Sequence, residues 1–185
     1  MPDPQNTLST SDVRRETVIQ SAVQVFAQAG YLGTPVSAVA EHARISPAYV
    51  FKLFPRKEEL FVAALHRCFL LIQTALERGA AAAPQTPAAI LEAMGAAYAA
   101  LIADRSLLML QVHAQSAASV PEIAAALRSG IGQITTFVKE RSQAPDEAVQ
   151  QFVAFGQLCH LITVAGLDDD SADWARLLSR GIQHF

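Results

Sequence analysis

No stretch of this chain alternates β-branched with polar residues, whereas apolar residues recur at three- and four-residue spacing almost from end to end. That pattern buries a stripe along a helix and gives a strand no buried face, so the chain is expected to be all-α. Glycine and proline mark the breaks. The spacing predicts a first helix over 11–29, with Val18, Ala22, Val25, Phe26 and Ala29 on one stripe and Gly30 as its stop. Thr34-Pro35 and Ser46-Pro47 each read as an N-cap followed by proline in the first turn, opening two short helices to about Ala43 and Phe54. Pro55 closes the second, and Glu58 and Glu59 suit the first turn of a longer helix over 57–78. Gly79 to Pro87 reads as the clearest break. Beyond it, helices are expected at about 87–103, 106–118, 121–142, 146–166 and 172–183.

A chain of 185 residues that is 51% apolar and 17% charged can bury a core and makes one or two domains. The first twelve residues lack the basic start and apolar run of a signal peptide, and no apolar run is expected to reach the length of a membrane span without charges or polar breaks. A soluble, intracellular, cytoplasmic protein with no membrane partner is therefore expected. Cys68 and Cys159 stand far apart in apolar surroundings and read as core residues. No carboxylate or thiol lies at ligand spacing beside His113 or His160, so neither a metal nor a cofactor is expected. The net charge is −3, but residues 1–67 hold seven basic and six acidic side chains while the remainder holds seven and eleven. That weak asymmetry fits a nucleic-acid-reading head on an acidic body.

One longer helix followed by two short ones across a tight turn is the helix-turn-helix plan, in which the second short helix enters the major groove. Within Ser46–Phe54, Val50 and Phe54 lie one turn apart and can pin the helix to Phe26 and Val39. Pro47, Ala48, Tyr49, Phe51, Lys52 and Leu53 are left on the other sides. Ala48 permits close approach, Tyr49 offers a ring and a hydroxyl, and Lys52 offers a charge for a phosphate or a guanine edge.

The run from Arg15 to Leu65, with Phe26, Gly30-Tyr31, Thr34, Val39-Ala40, Ile45-Ser46, Phe54, Lys57-Glu58 and Leu60, resembles the N-terminal domain of TetR-family transcriptional regulators. The resemblance implies a helix-turn-helix domain, residues 1–56 and ordered from about 11, ahead of an effector-binding and dimerisation domain over 57–185. It implies that Thr34 and Lys57 touch phosphates and that Ser46, Pro47, Ala48, Tyr49, Phe51 and Lys52 face the groove. Two positions depart from the family pattern. Phe51 stands where tyrosine is usual and could face either DNA or core. Arg44, also expected to contact DNA, stands in the turn where glycine is usual, so either the turn is strained there or it avoids positive φ. Lys57 also has a plainer reading as a solvated helix-start residue.

In the body the residues carry the reading alone. Residues 146–166 are apolar nearly all round, and Trp174, Leu177, Leu178 and Ile182 form a stripe. Together they suggest a homodimer joined by two helices from each chain, with Phe152, Gly156, Cys159, Trp174 and Leu178 at the interface. A pocket for a small apolar effector is expected along 106–118, walled by Met109, Phe137 and Phe155 with Gln111 and His113 as polar handles. The same residues would serve equally in a plain core. The leading expectation is a repressor released from a palindromic operator on duplex DNA by that effector. An all-α enzyme is disfavoured because there is no Glu-x-x-His pair, phosphate loop or serine elbow. A helical protein-binding adaptor using the Tyr49 face is the third reading.

Overall fold

The computed structural model describes residues 10–180. Among them no strand occurs, and nine helices follow in order: α1 Thr10–Gly33, α2 Val36–His42, α3 Pro47–Leu53, α4 Lys57–Ala82, α5 Pro87–Ile102, α6 Arg105–Ser116, α7 Pro121–Ser142, α8 Asp146–Ala165 and α9 Asp173–Ser179. A single 3-10 turn, Leu167–Asp169, joins the last two.

The head closes on most of the predicted stripe, with Val25 half-buried and Ala29 exposed. Val18, Ala22 and Phe26 of α1, Val39 and Ala40 of α2, and Val50 and Phe54 at α3 are all buried in one cluster. Phe61 of α4 sets its ring edge-on to Phe26 at 4.9 Å and to Tyr31 at 5.5 Å. Each such ring taken out of water stabilises the fold by about 1.5–3 kcal/mol. The start of α4 is thus held by the head, while its later turns supply Cys68, Ile72 and Leu76 to the body, and the apolar cluster runs unbroken through both.

Several boundaries differ from the sequence expectation, each for a physical reason. Gly30 does break α1, with φ 68°, but the chain resumes helical turns to Gly33. Thr34 is not the cap of α2: Pro35 takes that position, and the Thr34 hydroxyl turns inward toward the Val25 carbonyl. The 57–78 helix extends to Ala82, because alanines propagate a helix well and Gly79 is a packing residue rather than a stop. A Cβ on Gly79 would fall 2.6 Å from the Ala93 carbonyl oxygen, so its absence lets α4 and α5 touch backbone to backbone. Gly130 of α7 makes room for a side chain instead: a Cβ there would lie 2.1 Å from the Phe69 ring. The last helix begins at Asp173, and Ile182 lies outside the described residues. The expectation that no helix matches a membrane span needs amending: α4 and α8 are long and apolar enough by length and composition, with mean hydropathy 1.4 and 1.3.

Candidate nucleic-acid interface and effector cavity

Local chemistry fixes the reading helix. Ser46 caps α3 by accepting the Tyr49 N–H at 3.2 Å, and Pro47 occupies the first turn, where its missing N–H costs nothing. The turn before it passes through Arg44 at φ 56°, a left-handed conformation that a non-glycine residue adopts only with strain. With Val50 buried beneath, Pro47, Ala48, Phe51 and Lys52 stand exposed along α3, and Arg44 and Ser46 are exposed at its approach. Phe51 is 47% exposed, which removes its core reading.

Two residues that the sequence reading passed over complete this face. Arg14 places its guanidinium 5.5 Å from the half-buried Tyr49 ring. Arg15 lies 4.1 Å over the Phe54 ring and donates to the Leu53 carbonyl at 2.9 Å, tying α1 to the end of α3. Both contacts join residues more than thirty positions apart, and only the adjacent arginines on the polar side of α1 hinted at them.

Thr34, by contrast, is buried at 2% exposure. Lys57 is half-buried with its ammonium 4.8 Å over the Tyr31 ring, and burial lowers its pKa below the ordinary lysine value. Tyr31 donates to Glu58 at 2.5 Å; burial first, and that bond second, push its phenol up to about 12. Arg56 is committed elsewhere, to Glu59 at 2.9 Å and to Glu122 at the start of α7 at 2.8 Å.

In the body, helices α4, α5, α6, α7 and α8 line a cavity of about 760 Å³ that opens to solvent on one side. Of the residues expected to bind effector, Gln111 and Phe155 line it, whereas Met109, His113 and Phe137 do not. Met109 packs with Ile102, Leu108 and Cys159, and Phe137 packs against the main core. His113 lies on another face of α6, against Gly30 of α1, with Nε2 buried and unpartnered. Phe152, Gly156 and Cys159, expected at a dimer interface, line the cavity. The outward apolar side chains of this region are Phe155, Leu161 and Val164 on α8 and Trp174 and Leu177 on α9, while Leu178 is half-buried.

The polar centre that sequence reasoning missed is Tyr98 with His160. Their Oη and Nε2 lie 2.7 Å apart, and Gln111 Nε2 donates to the same Oη at 3.4 Å. Burial lowers the His160 pKa to about 4, so its ring is neutral near pH 7. Tyr98 is followed thirteen residues later by Gln111 and sixty-two later by His160, and no local spacing announces such a trio.

Comparison with known proteins agrees with the geometry. Residues 18–64 match the model for bacterial regulatory proteins of the tetR family, spanning most of α1 through the start of α4. No curated protein sequence matches the chain. Solved structures share the fold: a TetR-like transcriptional regulator from Rhodococcus sp. RHA1 is 21% identical with TM-score 0.66, covering 92% of this chain and 93% of its own. The fatty acid degradation regulator FadR from Bacillus halodurans is 19% identical with TM-score 0.64, covering 93% and 97%. The multidrug binding protein EbrR, complexed with imidazole, is 18% identical with TM-score 0.63, covering 92% and 95%. With a capped, outward-facing third helix in the segment that matches the tetR-family model, and the same all-α architecture over nearly the whole length, the chain carries a TetR-type N-terminal domain and shares the fold of solved TetR-type regulators.

Proposed function

We propose that this regulator is a cytoplasmic repressor. It acts as a homodimer on a palindromic operator, reads the major groove with α3, and leaves DNA when a mostly apolar effector fills the body cavity of each chain. The observation that carries the DNA reading is the exposed row Pro47, Ala48, Phe51 and Lys52 with Arg14 and Arg44 beside it, over a helix whose inner side is locked by Val50. In this reading the head extends to residue 56 and the body from 57. Tyr49 and Lys52 contact bases and phosphates, Ser46 and Lys57 contact the backbone, and Thr34 contributes through its main chain. Cation-rich surfaces displace phosphate counterions, so affinity falls with salt.

A cavity of about 760 Å³, walled largely by apolar side chains, supports an apolar effector. EbrR, one of the structural relatives, is a multidrug binding protein crystallised with proflavin and with imidazole. Helix α6 supplies a route from cavity to head: Gln111 lines the cavity, His113 presses on Gly30, and Ser106 accepts from Gln24 of α1 at 3.1 Å. An effector that takes the dimer from 1:99 to 99:1 in favour of the DNA-free form must bind that form tighter by roughly 5.5 kcal/mol. The outward apolar side chains of α8 and α9 support pairing through those helices. Selection of bound sequences from random duplexes tests class and symmetry together: an enriched palindrome is expected, and enrichment of none, or of a single asymmetric site, refutes the dimeric operator.

A further inference from the structure

The cavity proposed as the effector site has a charge character of its own. No lysine, arginine or histidine is among its lining side chains, and Glu92 is its one carboxylate. Glu92 is exposed, on α5, and makes no ion pair among the described residues.

Deeper inside, several hydrogen-bond donors are already committed. The Leu107 carbonyl fixes which way the Gln111 amide points, since only nitrogen can donate to it, at 3.2 Å. The same Nε2 donates to Tyr98 Oη, leaving Oε1 as the uncommitted atom of that amide. Gln115 Nε2 donates to Gln157 Oε1 at 2.8 Å, and Tyr98 shares its bond with His160.

An anionic ligand would meet a carboxylate of its own sign and no cation to repay its lost hydration. A neutral apolar molecule avoids that cost. A cation can bury its apolar part while its charge stays with Glu92. Glu92 and Tyr98 are six residues apart on α5, about 9 Å along the axis at 1.5 Å per residue, which is the reach of a two-ring aromatic body.

We propose that the cavity selects a lipophilic cation, a compact aromatic body bearing one ammonium or amidinium group paired with Glu92, and discriminates against the matching carboxylate. This rests on the reading of the cavity as the effector site. The acidic balance of the body favours the approach of the same class of ligand.

The test is calorimetric titration of the whole protein with three probes of one shape: naphthylmethylammonium, naphthylmethanol and naphthoate. The ammonium is expected to bind about five-fold tighter than the alcohol and naphthoate about five-fold weaker, with the gap narrowing as salt is added. Glu92→Gln, at an exposed position, should bring the ammonium down to the alcohol and leave the alcohol unchanged. Equal affinity for all three probes in the native protein, or an undiminished ammonium preference in Glu92→Gln, overturns the charge selectivity while the cavity reading stands. If the alcohol does not bind at all, or binds as well after Gly95→Phe narrows the cavity, the cavity reading fails and the selectivity with it.

Discussion

The His113 ring occupies the space that a side chain on Gly30 would need: a Cβ there would lie 2.7 Å from Nδ1, at a backbone position with φ 68°. Helix α6 of the body is thereby wedged into the kink of α1. Gly30→Ala meets two penalties, left-handed strain and the clash with the ring, and should destabilise the protein by about 2 kcal/mol or more. Adding His113→Ala removes the clash but not the strain. Urea denaturation of the two single variants and the double variant should therefore show a double variant less destabilised than the sum of the singles. Simple additivity would mean that the contact carries no energy.

Operator binding should separate two kinds of side chain. Lys57→Ala is expected to weaken binding to all duplexes alike and to flatten the salt dependence by about one counterion. Tyr49→Ala should weaken binding and also relax base preference, because its ring stands beside Arg14 on the helix proposed to read the groove. Measured affinities across several salt concentrations decide it, and an unchanged slope for Lys57→Ala would remove the phosphate role.

How far the sequence spoke for itself can be judged on these elements. Ser46-Pro47, Val50 and Phe54 placed α3 and its buried side, because capping and one-turn spacing are local rules and the structure obeys them. The Arg15 bond to Leu53 was not legible, since nothing local links positions 38 apart. Within α6, apolar spacing identifies a helix but not which neighbour faces which side. Gln111 and His113, two residues apart, consequently ended on different faces, one at the cavity and one at the head. Helix α8 is apolar all round for two separate reasons: Phe152, Gly156 and Cys159 line the cavity while Leu161 and Val164 face outward. Gly79 misled because a glycine that ends a helix and one that lets two helices touch look the same in one dimension.

Dimerisation and effector binding should therefore respond to different residues of the same region. Trp174 is 54% exposed and Leu161 is likewise 54% exposed, so Trp174→Glu and Leu161→Glu should shift sedimentation toward monomer at micromolar concentration. Phe152→Ala should leave the dimer intact and weaken the effector. A dimer unaffected by both outward substitutions would sink the α8 and α9 interface.

Acid should loosen the body through His160. Its pKa in the fold, about 4, lies below the ordinary histidine value of 6.5, so between those values the unfolded chain binds more protons than the folded one. Stability is whole above about pH 6.5 and is lost as pH falls toward 4. For this residue the loss between pH 7 and pH 5 is about 2 kcal/mol. His160→Gln should be less stable at pH 7, where it disturbs the bond to Tyr98, yet lose less on acidification. Denaturation curves at the two pH values compare the slopes, and an equal acid loss in both proteins would assign it to other groups.

The sharpest separation of sensing from DNA binding is available at Gly95. It lines the cavity from α5, and an added Cβ would meet only Phe152, at an ordinary 3.9 Å, so a larger side chain extends into empty space rather than into a neighbour. Replacing a mid-helix glycine also relieves about 0.5–1 kcal/mol of backbone entropy cost, which offsets strain from the new ring. Met109 offers no such lever, because it packs beside Leu108 and Cys159 rather than lining the cavity, and a bulkier residue there would overfill a packed cluster. Gly95→Phe should therefore fold with near-native stability, bind operator with unchanged affinity, and no longer be released by an effector that releases the native protein. Gly95→Ala, too small to fill the space, should keep the response. Operator release measured against effector concentration for the three proteins checks this: a Phe variant that still responds would place the effector elsewhere.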